Sequence, residues 1–418
     1  MQKLIINGPA SLQGEITVSG SKNHVLPMMA ACLLCSEPIT LHNVPEISDV
    51  EAMLDILELF GVKHSCEGHK LTLDASDAHT AEVTQELADR MRASILVLGP
   101  AVARFGEVTA YEPGGDIIGA RPLTGHLRVF KKLGVEVRVD GSLLSLKGRP
   151  KSKTLVMDEL SVTPVENAIM AAVLSEGVTE IRRVALEPHV VELCRFLNSL
   201  GANIEGIDTH NLRITGMQKL HGGEGKIIPD QLEAGTLAIA AATTHGDVTI
   251  HQFVADDHDA LLTVFENMAV NCQLLDNQTI HIMPSPNLLA TRVVTHPYPN
   301  FPTDLQAPMA VLMTQADGTS EIFETMYEGR MSYLYELQRM GAHVAIQDSH
   351  VGRITGPTRL QGAELISFDI RAGATLLLAA LVAEGRTVIE RIEHIDRGYE
   401  KFDKKLASLG ADIERVTA

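Results

Sequence analysis

Several cations of this chain stand beside glycines or at the starts of apolar helical segments, where anions bind. The segment EPGGDIIGARP, residues 112–122, holds one acid, Asp116, and one cation, Arg121, among three glycines. Glycine lets a backbone move or approach a ligand closely, so the segment predicts a functional loop. Free N–H groups and the helix dipole favour anions at helix starts. The arrangement predicts a site for phosphate or carboxylate groups.

Charged residues of this kind recur along the whole chain. For any single one, a solvated charge or a helix cap is the ordinary explanation. The net charge is −18, from 35 Lys and Arg against 53 Asp and Glu. Repeated cations in so acidic a chain therefore favour an anionic ligand. The charged residues that we consider candidates for this site, basic and acidic, are Lys22, Arg92, Arg121, Asp230, Glu233, Asp304, Arg330, Asp369, Arg371 and Arg397.

Asp304 allows two interpretations. It precedes the apolar segment LQAPMAVLM and could simply cap that helix. It also follows HPYPNFP, a stiff proline-rich approach of the kind that fixes one acid in a cleft. Helix capping and catalysis both stay open for Asp304 at this point.

The composition excludes several classes of protein. An acidic chain repels nucleic acid and acidic membrane surfaces, and no apolar stretch approaches the roughly 20 residues of a membrane span. Five scattered cysteines fit reduced cytosolic thiols. No motif for nicotinamide, flavin or zinc occurs. We expect a cytoplasmic protein, a monomer or weak homo-oligomer, that uses no metal or cofactor and binds neither nucleic acid nor membrane.

A triplet of a hydrophobic residue, a glycine and a small residue recurs every 67 to 73 residues. Each copy closes an amphipathic helix and precedes a β-like segment. Upstream of each copy lies a helix that is apolar nearly all round and must therefore be buried. The repeat predicts six units of strand, buried helix, strand, surface helix and hairpin. The triplets are centred on Gly61, Gly134, Gly201, Ala269 (alanine in place of glycine), Gly341 and Gly410.

Six such units could form a solenoid or two groups of three. Solenoid repeats are commonly shorter, about 20 to 45 residues, and end in exposed caps. The longer period and the apolar helix in every unit favour helices gathered around a shared interior. We expect an α/β fold with two compact three-unit domains.

The chain resembles the enolpyruvyl transferase family from end to end, over residues 1–416. The motifs that carry the resemblance, in family order, are SGSKN, PGGDIIGARP, FPTD and HIDRGYE. The resemblance implies a two-domain inside-out α/β barrel, with residues 21–228 in one domain and residues 1–20 plus 229–418 in the other. It places the active site in the interdomain cleft and makes residues 112–122 a lid over bound substrate.

The resemblance also implies a reaction. Enolpyruvate passes from phosphoenolpyruvate to the 3′-hydroxyl of UDP-N-acetylglucosamine, with release of phosphate, at the start of peptidoglycan synthesis. Asp304 is then the general base beside the sugar hydroxyl. The phosphate is assigned to Lys22, Arg121 and Arg397, and the carboxylate of phosphoenolpyruvate to Arg330 and Arg371. Further positions matched to the family are Asn23, Arg92, Arg121, Pro122, Leu123 and Met326 around the substrates, and the cleft acids Asp230, Glu233 and Asp369.

Asp116 stands where most members of the family carry cysteine. A carboxylic acid can deliver a proton as a thiol does, so we expect catalysis to survive with Asp116 as the acid. The epoxide antibiotic fosfomycin inactivates the family by alkylating that cysteine. A carboxylate is a far weaker nucleophile toward an epoxide. We therefore expect intrinsic resistance to fosfomycin.

Three stretches on the nucleotide side also depart from the family. RPLTGH, residues 121–126, replaces RPVDLH; SVTPV, residues 161–165, replaces SVGAT; and LEPH, residues 186–189, replaces REPE. Two alternatives follow: the same chemistry on another nucleotide or nucleotide-sugar acceptor, and a non-catalytic paralogue that binds a nucleotide sugar. The set of Lys22, Arg121, Asp304 and Arg397 argues against the second, because a non-catalytic binder has no need of a phosphoenolpyruvate cradle.

Overall fold

The computed structural model describes residues 2–116 and 118–417, so Met1, Ala418 and the loop residue Ile117 lie outside the described residues. The strands are β1 Gln2–Gly8, β2 Gln13–Thr17, β3 Ile39–His42, β4 Lys63–Glu67, β5 Lys70–Asp74, β6 Glu82–Val83, β7 Glu107–Tyr111, β8 Glu136–Asp140, β9 Leu143–Lys147, β10 Thr154–Val156, β11 Val178–Arg182, β12 Asn203–Glu205, β13 Asn211–Thr215, β14 Gly223–Lys226, β15 Asp247–His251, β16 Cys272–Asp276, β17 Thr279–Ile282, β18 Arg292–Val294, β19 Gly318–Phe323, β20 His343–Ile346, β21 Val351–Gly356, β22 Glu364–Ile366, β23 Gly385–Glu390 and β24 Asp412–Thr417.

The helices alternate with these strands. They are α1 Lys22–Ala31, α2 Ser48–Leu59, α3 Gln85–Arg90, α4 Leu98–Phe105, α5 Thr124–Lys132, α6 Val162–Ala172, α7 Pro188–Ser199, α8 Gln231–Thr243, α9 Asp259–Asn267, α10 Gln306–Thr314, α11 Tyr333–Arg339, α12 Ile370–Val382, α13 Glu393–Asp396 and α14 Phe402–Ser408. Short 3-10 helices cover Cys32–Leu34, Arg92–Val97, Ala255–Asp257 and Thr303–Leu305. Among the described residues, no helix combines the length and the apolar character needed to cross a membrane.

The recurring triplets are helix ends. Their central residues all have positive φ, from +58° at Ala269 to +100° at Gly410. A left-handed residue after the last turn ends a helix, and glycine adopts that conformation without strain. The prediction that each triplet closes a helix is confirmed. The helices that end directly before a triplet are α2, α5, α7, α9, α11 and α14.

The chain divides into two compact units. Unit 1 comprises Met1–Ser19, Asp116–Ala120 and Pro229–Ala418, and unit 2 comprises Gly20–Gly115 and Arg121–Ile228. This division differs from the expected boundaries in one functional respect. The tip of the glycine-rich loop, Asp116–Ala120, groups with unit 1, whereas the two arms of the loop group with unit 2.

Unit 1 contains three four-stranded sheets, with strand orders β22-β23-β1-β24, β16-β17-β15-β2 and β18-β19-β21-β20. Each sheet has one parallel pair of strands and two antiparallel pairs. The apolar helices α8, α10 and α12 pack against one another, and their residues are nearly all buried. The core of the unit is therefore built around three helices without a polar face.

Unit 2 has a matching construction. Its sheets have the strand orders β10-β11-β13-β12, β14-β3-β5-β4 and β6-β7-β9-β8, again with one parallel and two antiparallel pairs each. The buried helical segments are α1, α4 with the 3-10 turn before it, and α6. The predicted burial of the apolar helices is confirmed in both units.

Candidate functional site

Asp116, the acid of the glycine-rich loop, is hydrogen-bonded to Arg397 within unit 1. Arg397 Nη1 donates a hydrogen bond of 2.7 Å to Asp116 Oδ1. Both side chains are largely withdrawn from solvent, with 18% of Asp116 and 15% of Arg397 exposed. Arg397 directly follows α13 in the HIDRGYE segment. Two candidates from distant parts of the sequence are thus brought together.

Asp304 lies between two buried arginines. Arg330 Nη2 donates to Asp304 Oδ1, and Arg371 Nη2 lies 3.5 Å from Asp304 Oδ2. The two arginine side chains are 7% and 6% exposed. Buried guanidinium groups suit a carboxylate or phosphate ligand.

The capping interpretation of Asp304 does not describe the structure. The 3-10 turn Thr303–Leu305 has Pro302 as its N-cap, and α10 has Leu305. Asp304 lies inside the turn, and its carboxylate faces Arg330 and Arg371 instead. Capping therefore does not explain Asp304, and its catalytic role stays a prediction.

The two arginines keep their charge despite burial. Burial alone lowers the pKa of Arg330, but the facing acids Asp304 and Asp369 raise it above its ordinary value. Burial also lowers the pKa of Arg371, but Tyr399 and Asp304 raise it by more, so it lies above its ordinary value. The Arg371 guanidinium also lies 5.1 Å from the centre of the Tyr399 ring. A substrate anion would meet two permanent cations here.

Asp230 and Asp369, expected as cleft acids, cap helices. Asp230 Oδ1 accepts from the N–H groups of Leu232 and Glu233 at the start of α8. Asp369 Oδ1 accepts from two N–H groups at the start of α12, one of them that of Arg371. Such caps stabilise a helix start by about 1 kcal/mol. Asp369 therefore fixes the backbone that carries Arg371.

Glu233 is paired inside unit 1. Lys405 Nζ, from α14, contacts Glu233 Oε1 and donates to Ser19 Oγ at 2.6 Å. Burial raises the pKa of Glu233 to about 7, against the lowering effect of Lys405. Glu233 is only 2% exposed. These contacts with Lys405 hold Glu233 in a structural ion pair within unit 1.

Lys22 and Asn23 occupy the first turn of α1 in unit 2. Lys22 Nζ lies 3.4 Å from Asp49 Oδ2, in the first turn of α2. The lysine side chain is 15% exposed and the aspartate 3%. Asn23 is half-buried beside it. The lysine is thus held in place at a helix start, where anions bind.

Arg92 holds one arm of the loop in unit 2. Its Nη2 donates to the main-chain oxygen of Arg121. On the other arm, a Cβ added to Gly115 would lie 3.0 Å from the Arg92 nitrogen. Arg92 therefore lies against both arms. Of the other matched positions, Pro122 is exposed, Leu123 is buried, and Met326 of unit 1 is half-buried.

The altered stretches RPLTGH and SVTPV meet in unit 2. Asn167 Nδ2 donates to His126 Nδ1 at 3.1 Å, which leaves His126 Nε2 to donate to Thr163 Oγ1 at 3.1 Å. Burial and the charge of Arg92 lower the pKa of His126 to about 3, so the ring is neutral. A cavity of about 60 Å³ adjoins this contact, and Thr124, Gly125, Ser161 and Pro164 belong to its lining.

Three residues around the arginines were missed by the sequence analysis. Thr303 Oγ1 donates to Glu324 Oε2 at 2.7 Å and accepts from Arg330 Nη1 at 3.3 Å. Glu324 is fully buried, although it follows an ordinary strand. The ring nitrogens of His394 are buried without a hydrogen-bond partner among residues 2–116 and 118–417. A buried acid and a buried imidazole are recognisable only once the fold is known.

His394 belongs to the surroundings of the Asp116–Arg397 pair. Burial and the charge of Arg391 lower its pKa, against the opposing effects of Glu393 and Asp116. The imidazole is therefore neutral near pH 7.

Comparison with known proteins identifies relatives of the whole chain. Residues 6–406 match the family described as EPSP synthase (3-phosphoshikimate 1-carboxyvinyltransferase). The chain is 43% identical to a UDP-N-acetylglucosamine 1-carboxyvinyltransferase of Idiomarina loihiensis and 42% identical to one of Hydrogenovibrio crunogenus, with complete coverage of both chains in each case. Its fold matches the crystal structure of the enolpyruvyl transferase NikO from Streptomyces tendae with a TM-score of 0.90 at 26% identity, over 100% of this chain and 99% of that one.

These matches span nearly the whole chain and include both units. The fold is that of the enolpyruvyl transferases. The chain belongs to the enolpyruvyl transferase family and is an enzyme of that family.

Proposed function

We propose that this chain transfers enolpyruvate from phosphoenolpyruvate to the 3′-hydroxyl of UDP-N-acetylglucosamine and releases phosphate, as a cytoplasmic enzyme of peptidoglycan synthesis. The observation that carries the proposal is the placement of Asp304 between the buried Arg330 and Arg371. Relatives named for this activity are 41 to 43% identical over the full chain.

Phosphoenolpyruvate carries a carboxylate and a phosphate, and both need cations. Arg330 and Arg371 suit the planar carboxylate, because guanidinium donors match its two oxygens. By its resemblance to the family, Arg397 takes the phosphate, together with Lys22 and Arg121 of unit 2. In this assignment, five cations supply the charge that the two anionic groups need.

The reaction proceeds by addition and then elimination. Asp304 takes the proton from the sugar hydroxyl while the hydroxyl oxygen bonds to C2 of phosphoenolpyruvate. In the same step Asp116 gives a proton to C3. The product of this step is a tetrahedral ketal. Asp116, now a carboxylate, takes a proton from C3 as the C2–O bond to phosphate breaks, which restores the double bond and releases inorganic phosphate.

Asp116 gives the enzyme a distinct response to fosfomycin. The antibiotic acts on a nucleophile at this position, and a carboxylate opens an epoxide far more slowly than a thiolate does. We propose that the enzyme resists fosfomycin for this reason. Asp116 contacts Arg397, the arginine assigned to the phosphate, which supports a place for the acid beside bound phosphoenolpyruvate.

We also propose the six-unit organisation that the resemblance implies, as an inside-out barrel with three units in each of two domains and a cleft site. The six four-stranded sheets, each with one parallel and two antiparallel pairs, support it. The positive φ at every triplet centre supports it further.

The product identifies the reaction directly. Purified enzyme with phosphoenolpyruvate and UDP-N-acetylglucosamine should yield a nucleotide sugar heavier by one enolpyruvyl group in the mass spectrum, with one phosphate released per product. Asp304→Asn should abolish the product while the folded protein still binds nucleotide sugar. A mass spectrum with only unchanged acceptor, from folded wild type, would contradict the proposed acceptor.

A second acceptor remains a specific alternative. The two altered stretches are in direct contact through His126 and Thr163, and Gly125 stands where the family usually has leucine. Thr124, Gly125, Ser161 and Pro164 of these two stretches line one cavity, which supports altered nucleotide recognition. Phosphate release with other uridine or purine nucleotides, but not with UDP-N-acetylglucosamine, would establish this alternative. Binding of a nucleotide sugar without any phosphate release would indicate the non-catalytic paralogue.

A further inference from the structure

We propose that Glu328 and Gly329 form a clasp that docks residues 118–120, in the tip of the glycine-rich loop, and thereby positions Asp116 on Arg397. The role of Asp116 as the acid rests on the proposed function. The docking itself is a property of unit 1 and does not depend on the identity of the substrate.

Two hydrogen bonds make the clasp. The N–H of Ala120 donates to Glu328 Oε1 at 2.8 Å, and the N–H of Gly329 donates to the main-chain oxygen of Ile118 at 3.0 Å. The first bond has an ionised acceptor, which makes it stronger than a neutral one. Hydrogen bonds from main-chain N–H groups lower the pKa of Glu328, so the acceptor is ionised at neutral pH. The tip is held by a side chain and by main chain at adjacent residues.

The backbones approach so closely that the sequence is constrained. A Cβ added to Gly329 would lie 2.8 Å from the Ile118 carbonyl carbon and 2.9 Å from the Gly119 nitrogen. These are main-chain atoms, which cannot move aside as the end of a flexible side chain can. Gly119 has φ of +134°, and a Cβ there would meet the Glu328 carboxylate at 2.6 Å. The clasp therefore requires both glycines.

The tip is also anchored by an apolar side chain. Ile118 is only 5% exposed, although it lies in a glycine-rich loop. An isoleucine withdrawn from water stabilises the docked loop. Ionic, main-chain and apolar contacts thus converge on residues 118–120, two to four residues after Asp116.

The clasp is adjacent to the other half of the site. Arg330 follows Gly329 directly and holds Asp304. The segment begins at Glu324, whose Oε1 accepts from the N–H groups of Met326 and Tyr327. One short segment therefore carries the contacts of the loop tip and of the proposed base. Glu328 and Gly329 are positioning residues, because they act through Asp116.

Hydrogen exchange of the ligand-free protein tests the docking. In Glu328→Ala, we expect the loop amides around residues 112–122 to exchange about fivefold faster, as one charge-assisted bond is lost. Gly329→Ala should show at least the same effect. Glu364→Gln, an exposed acid on β22, is the matched control and should leave the loop unchanged. Unaltered exchange of the loop in both clasp variants would overturn the proposal.

Kinetics test the positioning. If Asp116 is displaced, kcat should fall about tenfold in Glu328→Ala with little change in the KM for the nucleotide sugar. Glu328→Gln keeps an amide oxygen as acceptor and should recover most of kcat. Gly141→Ala is the control for general destabilisation. Gly141 lies in open space with φ of +58°, so the variant should lose stability without a change in kcat. An equal loss of kcat in Gly141→Ala would reduce the effect to general destabilisation and overturn the positioning role.

The two experiments separate this proposal from the proposed function. If the wild type shows no turnover with the acceptors tested, the proposed function fails, but faster loop exchange in the clasp variants still establishes docking. If turnover is normal and the clasp variants match the wild type in both experiments, only the clasp is wrong.

Discussion

Asp116 and Arg397 are 281 residues apart in the sequence and are joined by a hydrogen bond of 2.7 Å. The loop thus delivers its one acid to the arginine of the HIDRGYE segment. In the proposed reaction this arginine binds the phosphate of phosphoenolpyruvate, so the proton donor and the phosphate lie at one point. That relationship leads to the first prediction.

Arg397→Lys keeps the positive charge but loses the planar fork of donors. We expect kcat/KM for phosphoenolpyruvate to fall about a hundredfold, since a bidentate contact to an oxyanion is replaced by a point charge. Steady-state phosphate release measures the effect. Arg391→Lys, an exposed arginine six residues earlier, is the control and should behave as wild type. Equal activity of Arg397→Lys and wild type would contradict the assignment.

Thr303 links Glu324 to Arg330, and Arg330 holds Asp304. Thr303→Val preserves shape but removes the hydroxyl, so Arg330 loses one acceptor and Glu324 one donor. We expect kcat to fall about tenfold with a smaller change in KM, because the base is misplaced rather than removed. Thr303→Ser should restore activity. A valine variant with wild-type kcat, or a serine variant as impaired as valine, would show that the link is not needed.

Thr163 accepts a hydrogen bond from the neutral ring of His126, where the two altered stretches meet. Thr163→Val leaves the buried Nε2 of His126 without its acceptor, which disturbs the adjoining cavity. We expect the KM for the nucleotide acceptor to rise about fivefold while the KM for phosphoenolpyruvate stays constant. Thr154→Val, an exposed threonine on β10, is the control. A rise in both KM values would contradict a role in acceptor recognition.

Glu166 predicts a pH dependence of stability. It is buried in α6 with one oxygen unpaired among the described residues, and burial with the nearby charge of Glu187 raises its pKa from 4.5 to about 8. A raised folded-state pKa gives a contribution that is complete below pH 4.5 and is lost as the pH rises toward 8. The free energy of unfolding should fall by up to about 1.4 kcal/mol per pH unit in that interval.

Glu166→Gln removes this titration. We expect thermal unfolding of the variant and the wild type to differ little at pH 5, and the variant to gain stability relative to wild type at pH 8. Glu176→Gln, an exposed acid, should shift neither value. If the difference in unfolding temperature between Glu166→Gln and wild type is the same at both pH values, the raised pKa of Glu166 is wrong.

Local patterns predicted the elements of this fold well. The triplets identified six helix ends, because a helix often ends at a left-handed residue and glycine adopts that conformation most easily. Apolar periodicity likewise identified the buried helices. The residues of the arginine cluster were recognised by type, but sequence alone left Asp304 between a cap and a site residue. Only the facing side chains of Arg330 and Arg371 distinguish the two.

Long-range contacts account for what the sequence did not show. Thr303 and Glu324 look unremarkable in the chain, and their roles depend on a strand end packing beside a 3-10 turn. Glu328 was missed because an exposed glutamate in a loop carries no signal until the tip of another loop lies against it. Asp230 and Asp369 cap helices, and their expected place in the cleft stays a prediction.

The most direct test of Asp116 as the acid is phosphate release from phosphoenolpyruvate with UDP-N-acetylglucosamine, measured for wild type, Asp116→Ala and Asp116→Cys with and without fosfomycin. We predict release by wild type that fosfomycin does not inhibit, a loss of at least about a hundredfold in the alanine variant, and activity of the cysteine variant that fosfomycin abolishes. Undiminished release by Asp116→Ala, or a fosfomycin adduct on Asp116 in the wild-type mass spectrum, would contradict this account.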